Sequence, residues 1–347
     1  MVKAGIASGF DFLWRTSGID VPFRLIEYGP QNTNFDLLLV GVANTVLVSI
    51  LGMVFATLLG FVVGVARLSK NWLVSFFATT YVEFVRNIPL LLFVFFWYFG
   101  VVRALPPPRS SIDIGGIFFL NNRGLSIPLP VEPGAFAIPL VLFAVGFAAF
   151  LALRLWGAKR QAATGQPFPV VAAALVLVVG VPGLAAVVAG MSTAWSVPAL
   201  TGFNFRGGFA LIPEFVALFF ALVTYTAGFI AEIVRGGILA VSKGQTEAAA
   251  SLGLKPGQTL RLIVVPQALR VMVPPMTSQY LNVLKNSSFG AAIAFPEIVS
   301  VFMGSALNNT GQAIEIIAIV LGIYLVVGLA VSLFMNWYNA RIALVTR

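Results

Sequence analysis

Residues 41–67 read GVANTVLVSILGMVFATLLGFVVGVAR, an unbroken charge-free run closed by Arg67. A helix that crosses the hydrocarbon of a bilayer needs about 20 apolar residues. The run therefore predicts a membrane span at about 41–66. Six further apolar segments follow, at about 73–101, 136–154, 169–190, 209–234, 277–303 and 314–337. The second is interrupted by Glu83, Arg86 and Pro89, and the sixth by Lys285 and Glu297. The composition agrees, because 59% of the 347 residues are hydrophobic and 10% charged, whereas a soluble domain carries about a quarter charged residues.

The net charge of +9 would in a soluble protein point to an anionic partner such as nucleic acid. Its distribution points elsewhere. If the first span runs inward, segments 67–72, 154–168, 235–275 and 338–347 are cytoplasmic. They hold twelve of the 21 basic residues and a single acid, Glu247. Lys and Arg accumulate in cytoplasmic loops, so the N-terminus is expected outside and the C-terminus inside. An odd count of seven spans requires the same arrangement, and nucleic acid is not an expected partner. With no Cys and no His, disulfides, imidazole metal sites and Ser-His catalysis are excluded. No metal site and no catalytic residue is expected.

The organisation follows from these segments. Residues 1–40 mix acids and bases and read as an external arm on the membrane surface, and 41–103 as the first two core membrane helices. Residues 104–208 read as an external loop, rich in Pro and Gly from Pro106 to Pro133, plus two inserted membrane helices that face lipid. Residues 209–347 form a membrane core with a cytoplasmic loop at 235–275 and a cytoplasmic tail. In that loop Thr246 to Leu252 is a good helix former, and Gly253 can take the left-handed conformation that ends it. Pro256 suits the first turn of a second short helix through Leu260 to Val265, which Pro266 limits. A helix, a tight turn and a helix form an element fit to dock into a groove on another protein.

Four motifs carry a specific resemblance. Glu247-Ala248-Ala249, then Gly253, Leu254, Ile263 and Val265-Pro266, have the spacing of the EAA loop of ABC-transporter permease subunits, with Val265 where Leu is commoner. Ala231-Glu232-Ile233-Val234-Arg235-Gly236-Gly237-Ile238, preceded by Tyr225, resembles the AE-x-x-RGGI run of polar amino acid permeases. Tyr81-Val82-Glu83-Phe84-Val85-Arg86-Asn87-Ile88-Pro89-Leu90-Leu91 is similar to their YVE-x-x-RN-x-PLL segment. Leu284-Lys285-Asn286-Ser287-Ser288 is similar to their K-[ND]-[ST]-S-L run, with Phe289 in the last place. The long insertion and the FLNNRG sequence at 119–124 are shared with the general L-amino acid permease subunits. Those relatives start with one more hydrophobic helix and carry Gln where Phe93 stands.

The resemblance implies an all-α, polytopic bundle of about seven spans with the type I importer permease core. It implies a multi-pass subunit of the bacterial inner membrane, in an amino acid importer working by alternating access. Its implied partners are a second homologous permease, most simply in a heterodimer, two ABC ATPase subunits and a periplasmic amino-acid-binding protein. No phosphate loop G-x-x-x-x-G-K-[ST] occurs, so the chain is expected to be no enzyme, with ATP and Mg bound by the ATPase. Glu247, Ala248, Ala249, Gly253, Leu254, Ile263 and Pro266 become the coupling element. Arg86, Asn87, Pro89 and Leu90, with Asn286, Ser287 and Ser288, become pathway candidates, since polar groups near a helix break can bind a carboxylate. Glu83 and Arg86, three apart, can pair on a helix. Glu83, Glu232, Arg235, Gly236 and Gly237 stand as gating or structural positions.

Two other readings compete. An ion-coupled secondary amino acid transporter would use intramembrane carboxylates such as Glu83 or Glu297. A membrane scaffold would only recruit a partner through its loop. The remaining intramembrane charges, Lys285 and Glu315, complete the short list.

Overall fold

The computed structural model describes residues 9–131, 137–166, 168–188 and 195–342, and helices occupy all seven apolar segments. Pro133 and Arg347 lie outside the described residues. The chain forms two compact units, one of 108–120 with 126–210 and one of the remainder.

In the larger unit, α1 (Asn34–Ala66) starts well before residue 41. Thr33 and Asp36 form a reciprocal capping box: the Thr33 hydroxyl accepts the Asp36 N–H at 3.2 Å, and the Asp36 carboxylate accepts the Thr33 N–H at 3.0 Å. An acid is favourable in a first turn, so requiring a charge-free segment cut the helix short. The segment 73–101 is two helices. Asn87 ends α2 (Trp72–Arg86), and Pro89 starts α3 (Leu90–Phe95), which continues as a π-helical stretch, Phe96–Val102. Pro89 has no N–H to donate and drives Ile88 out of the helical region. The two parts meet at 109°.

The inserted segments make the smaller unit. Helix α4 (Ala137–Thr164) pairs antiparallel with a second rod built of α5 (Val170–Ala174), a π-helical turn (Leu175–Gly180) and α6 (Val181–Val188). Gly146 lies against the Leu177 carbonyl and Gly157 against the Phe168 ring. Val145, Leu155, Val179 and Leu184 face outward, as expected of helices in lipid. The expected loop is partly strand: Ile112–Ile114 pairs antiparallel with Phe118–Asn121, and Ala199–Thr201 with Asn204–Arg206. Arg109 stacks on Phe203, 4.5 Å from its centroid.

The core of the larger unit is α1 on α7 (Pro213–Leu239). Gly52, Ala56, Gly60 and Gly64 recur every four residues and line one face of α1, the small-residue stripe that lets membrane helices approach closely. A Cβ on Gly60 would lie 2.6 Å from Ile230, and one on Gly64 2.7 Å from the Ala231 carbonyl. Because Gly52 meets Leu222 and Gly64 meets Val234, the two helices run parallel. Parallel packing requires an odd number of crossings between them. We expect Gly64→Ala to cost about 1–3 kcal/mol, the range for overpacking. Gly322→Ala, with nothing near its Cβ, is expected to be neutral or slightly stabilising. Thermal unfolding in detergent measures both.

After α7 come α8 (Lys243–Ser251), α9 (Pro256–Thr259), a π-helical turn (Leu260–Val264) and α10 (Val265–Asn286). Pro266 does not stop the second helix. It sits in the first turn of α10, where a missing N–H costs nothing, and the π-turn joins α9 to α10 by a bond from the Val265 N–H to the Leu260 carbonyl. Helix α10 runs through Pro274 and Pro275 and lies antiparallel to α1, with Val283 beside Gly52 and Tyr280 beside Thr57. The expected span at 277–303 is therefore displaced. α10 ends at Asn286, a 3-10 turn (Ser287–Ile293) leads to Ala294 in the left-handed region at φ 60°, and a π-helical stretch (Val299–Ala306) passes into α11 (Leu307–Thr310). Helix α12 (Ala313–Ile342) closes the bundle.

The arm packs into the bundle. Phe12, Val21, Phe23 and Tyr28 are buried, Phe12 against α1 and Phe302, and Phe23 stacked on Phe215 at 5.3 Å and tilted against Phe295 at 5.9 Å. The buried Asn44 amide donates to the Phe23 carbonyl at 2.9 Å and the Pro296 carbonyl at 2.8 Å, tying arm, α1 and the break after α10 together. Burial raises the Tyr28 pKa, and the protonated hydroxyl donates to the Ile19 carbonyl at 2.9 Å.

Candidate functional site: an ion cluster and a projecting helical turn

The ends of α1, α2 and α7 bring together Arg67, Glu83, Arg86, Glu232 and Arg235. Glu232 is the hub. It forms a short ion pair with Arg67, accepts from Arg235 at 2.6 and 3.3 Å, and has Arg86 at 3.9 Å. Glu83 has Arg67 at 3.7 Å. The expected Glu83–Arg86 pair is replaced by these two crossed contacts, because guanidiniums on neighbouring helices approach each carboxylate from the side. Three guanidiniums on two carboxylates leave one net positive charge. The Arg67 side chain is 8% exposed and its Nε has no partner, whereas Arg86 and Glu83 are open to the surface. Charge near the end of a span usually reads as topology, and for that reason sequence reasoning left Arg67 out; its place directly after the small-residue stripe was the available signal.

Helix α3 runs back along α7, as a ladder of contacts shows. Val85 meets Gly228, the Phe93 ring lies 5.6 Å from Tyr225, Trp97 stacks on Phe220 at 5.0 Å, and Tyr98 donates to Glu214 at 2.7 Å. Phe93 is thus a wall residue held by Tyr225. The outward face of α2 is largely exposed. Phe76, Thr79, Thr80, Glu83, Phe84, Asn87 and Ile88 line an open hollow of about 510 Å³. Asn87 donates to the Glu83 carbonyl at 2.7 Å, Pro89 is exposed and Leu90 buried.

The second set of pathway candidates lies on the turn after α10, against which α3 packs. Ser287 is buried and donates to the Leu284 carbonyl at 2.6 Å; Ser288 donates to the Lys285 carbonyl at 2.7 Å. Asn286 is half-buried and Lys285 exposed. Both hydroxyls thus cap the end of α10. Glu297 is fully buried and accepts from the Ser300 and Val299 N–H groups at 2.7 and 2.9 Å, which makes it the cap of the next helix. Glu315 accepts the Gly9 N–H at 2.9 Å and so fastens the arm. Gly236 and Gly237 lie inside α7. Gly237 is there because Met272 and the Ala268 carbonyl leave no room for a side chain.

The loop forms the element its spacing predicts. Gly253 takes φ +75°; its N–H bonds the Ala250 carbonyl at 2.9 Å and the Leu254 N–H bonds the Ala249 carbonyl at 3.1 Å, the two bonds of a Schellman cap. Ala249 is buried, holding the turn down, while Glu247 and Ala248 are exposed and Leu252 is 80% exposed. Ile263 and Pro266 are half-buried at the root of α10. The capped helix thus ends in an exposed apolar residue, Leu252.

Among the described residues no group of three or more Asp or Glu is placed to hold a metal ion. A parallel α1–α7 pair, an ion cluster at its ends and a capped helical turn with an exposed apolar residue are what the bundle presents at this end. Residues 52–344 match the family model of the binding-protein-dependent transport system inner membrane component, and the chain belongs to that family.

Among its relatives is the general L-amino acid transport system permease protein AapQ of Rhizobium johnstonii, 49% identical, covering all of this chain and 86% of that protein. The glutamate/glutamine/aspartate/asparagine transport system permease protein BztB of Rhodobacter capsulatus is 39% identical over 97% of this chain and 86% of its own. The crystal structure of an amino acid ABC transporter with histidines shares the fold, with TM-score 0.53 and 18% identity over 88% of this chain and 94% of the other. The ion-coupled reading finds no support here: the family is served by binding proteins, and Glu297 is occupied as a cap.

Proposed function

We propose that the chain is one of two homologous permease subunits, paired as a heterodimer, of an ATP-driven bacterial importer of polar L-amino acids. Its N-terminus is periplasmic and its C-terminus cytoplasmic. A periplasmic binding protein delivers the amino acid, and two ABC ATPase subunits, which carry ATP and Mg, close on the tip formed by α8, Gly253 and α9. The observation that carries this reading is the tip itself, capped, protruding and apolar at Leu252. The names of the relatives supply the substrate class.

In this reading ATPase closure pushes Glu247 to Gly253, and the root at Leu254, Ile263 and Pro266 passes the displacement into α10. The core helices then open outward by alternating access, and hydrolysis returns them. Arg86 and Asn87, exposed beside the bend at Pro89 and Leu90, meet the substrate carboxylate. Asn286, Ser287 and Ser288 shape the opposite wall through the end of α10. Glu232, Arg235 and Glu83 hold the gate helices in register.

Reconstitution with the partner subunits tests the assignment. Arg86→Ala is expected to lower ATP-dependent uptake tenfold or more while the complex still assembles, since its contact to Glu232 is long and exposed, a geometry worth little to stability. Loss of assembly would make Arg86 a structural ion-pair partner instead. Uptake that proceeds without ATPase subunits would overturn the reading as a whole.

A further inference from the structure

The flank formed by α1, α10 and α12 carries an apolar groove of about 530 Å³, walled by Met53, Val54 and Leu58 on one side and Val331, Phe334 and Met335 on the other. Its polar groups are already satisfied. The Thr57 hydroxyl donates to the Met53 carbonyl at 2.7 Å and lies 2.9 Å from the Tyr280 hydroxyl. Nothing in the groove calls for a polar ligand. The groove leads to a cation: the Phe334 ring lies 6.0 Å from Trp337, and the Arg341 guanidinium sits over Trp337, 5.4 Å from its centroid. Trp337 and Arg341 are exposed, and among the described residues no carboxylate forms an ion pair with Arg341.

The depth matches one leaflet. From Val331 to Arg341 is ten helical residues, about 15 Å at 1.5 Å per residue, and half of a bilayer's hydrocarbon core is also about 15 Å. Trp337 and Tyr338 stand at the level where aromatic side chains mark the interface. We propose that this groove binds an anionic phospholipid of the leaflet at the C-terminal end of α12. An acyl chain lies between α1 and α12, and the phosphate is held by Arg341 over Trp337.

A lipid, and not a second protein, is favoured by comparison with the other open face of the bundle. The hollow on α2 exposes Thr79, Thr80, Glu83 and Asn87, and polar groups of that kind are costly against hydrocarbon. That face needs a protein or aqueous neighbour. In the α1–α12 groove the polar side chains, Thr57 and Tyr280, are hydrogen-bonded to each other and to the Met53 carbonyl, which leaves it fit for an acyl chain. One basic side chain near a membrane surface favours an anionic headgroup by about fivefold.

The experiment uses the full chain, purified in mild detergent with its accompanying subunits and titrated with dioleoyl phosphatidylglycerol or dioleoyl phosphatidylcholine under native mass spectrometry. We expect phosphatidylglycerol to bind about fivefold more tightly, Arg341→Ala to abolish that preference, and Ala330→Trp to weaken both lipids by filling the groove. Ala330→Phe repeats the filling test should the Trp variant unfold. Equal binding of the two lipids to the unaltered chain, a preference that survives Arg341→Ala, or lipid binding untouched by both filling variants would overturn the proposal. So would separation of the permease subunits by Ala330→Phe, which would assign the groove to a protein partner.

Discussion

Glu232→Leu is expected to destabilise the chain by about 3 kcal/mol, the lower end of the cost of removing one partner of a buried ion pair, since Arg67 is buried and Glu232 half-buried. The substitution strands Arg67, which is 8% exposed and would keep only Glu83 at 3.7 Å. Arg86 and Arg235 lose their carboxylate as well. The expected sign is that Glu232→Leu accumulates poorly in the membrane and unfolds at lower temperature in detergent. Replacing both members is expected to be far milder, because a pair exchanged for packed apolar groups is often neutral or stabilising. The double variant Arg67→Leu/Glu232→Leu should therefore recover most of the lost stability. If the double variant is as unstable as the single one, Arg67 is not what Glu232 neutralises. A double variant that is stable but inactive in uptake would separate the gate function from folding.

Gly253 gives the second large effect, and its cause is purely conformational. With φ at +75° and nothing within 4 Å of a built Cβ, any loss on substitution comes from the backbone and not from a clash. A left-handed residue with a Cβ costs about 1–2 kcal/mol, with Asn tolerated best. ATP-dependent uptake should fall in the order Gly253, Asn, Ala, Val, with Val lowering it tenfold or more through a misdirected tip and weaker ATPase association. Membrane insertion should be unchanged across the series, since the tip lies outside the spans. A flat series, with Gly253→Val as active as the unaltered chain, would remove the tip from the coupling path.

These two sites differ in how visible they were in the sequence. Gly253 was plain, because a glycine closing an Ala-rich run has few other uses and the residues after it keep a strict spacing. The seven apolar segments were equally plain, since hydropathy responds to length and composition. The ion cluster was only half visible. Glu83, Arg86, Glu232 and Arg235 stood out as charges in or near spans, but which carboxylate meets which guanidinium depends on how helices cross. Glu83 and Arg86, three apart, each meet a partner on another helix, whereas Glu232 and Arg235, also three apart, pair directly. Arg67 was hidden by its resemblance to an ordinary topological charge.

The bend at Pro89 was marked by the proline, but its size was not, because an X-Pro break sets where a helix stops and not where the next one points. The packing of the arm was hidden for a similar reason. Phe12 and Phe23 sit among Asp11, Asp20 and Arg24, so local composition reads as surface, and only the cavity between α1, α7 and Phe295 explains why they are buried. Pro266 reads as a limit to the second short helix because prolines break isolated helices. Here Pro266 occupies a first turn and the preceding π-turn absorbs the change of register.

That π-turn, Leu260–Val264, has a consequence for how force is transmitted. A π-turn holds one residue more than an α-helix would spend on the same rise, and one residue of α-helix is about 100° of rotation at 3.6 residues per turn. The turn therefore sets the angular phase between the protruding tip and the membrane helix on the same rod. Deleting a single residue there would leave every side chain of α8 and of α10 in place on its own helix, yet would rotate one set against the other like a mistimed camshaft.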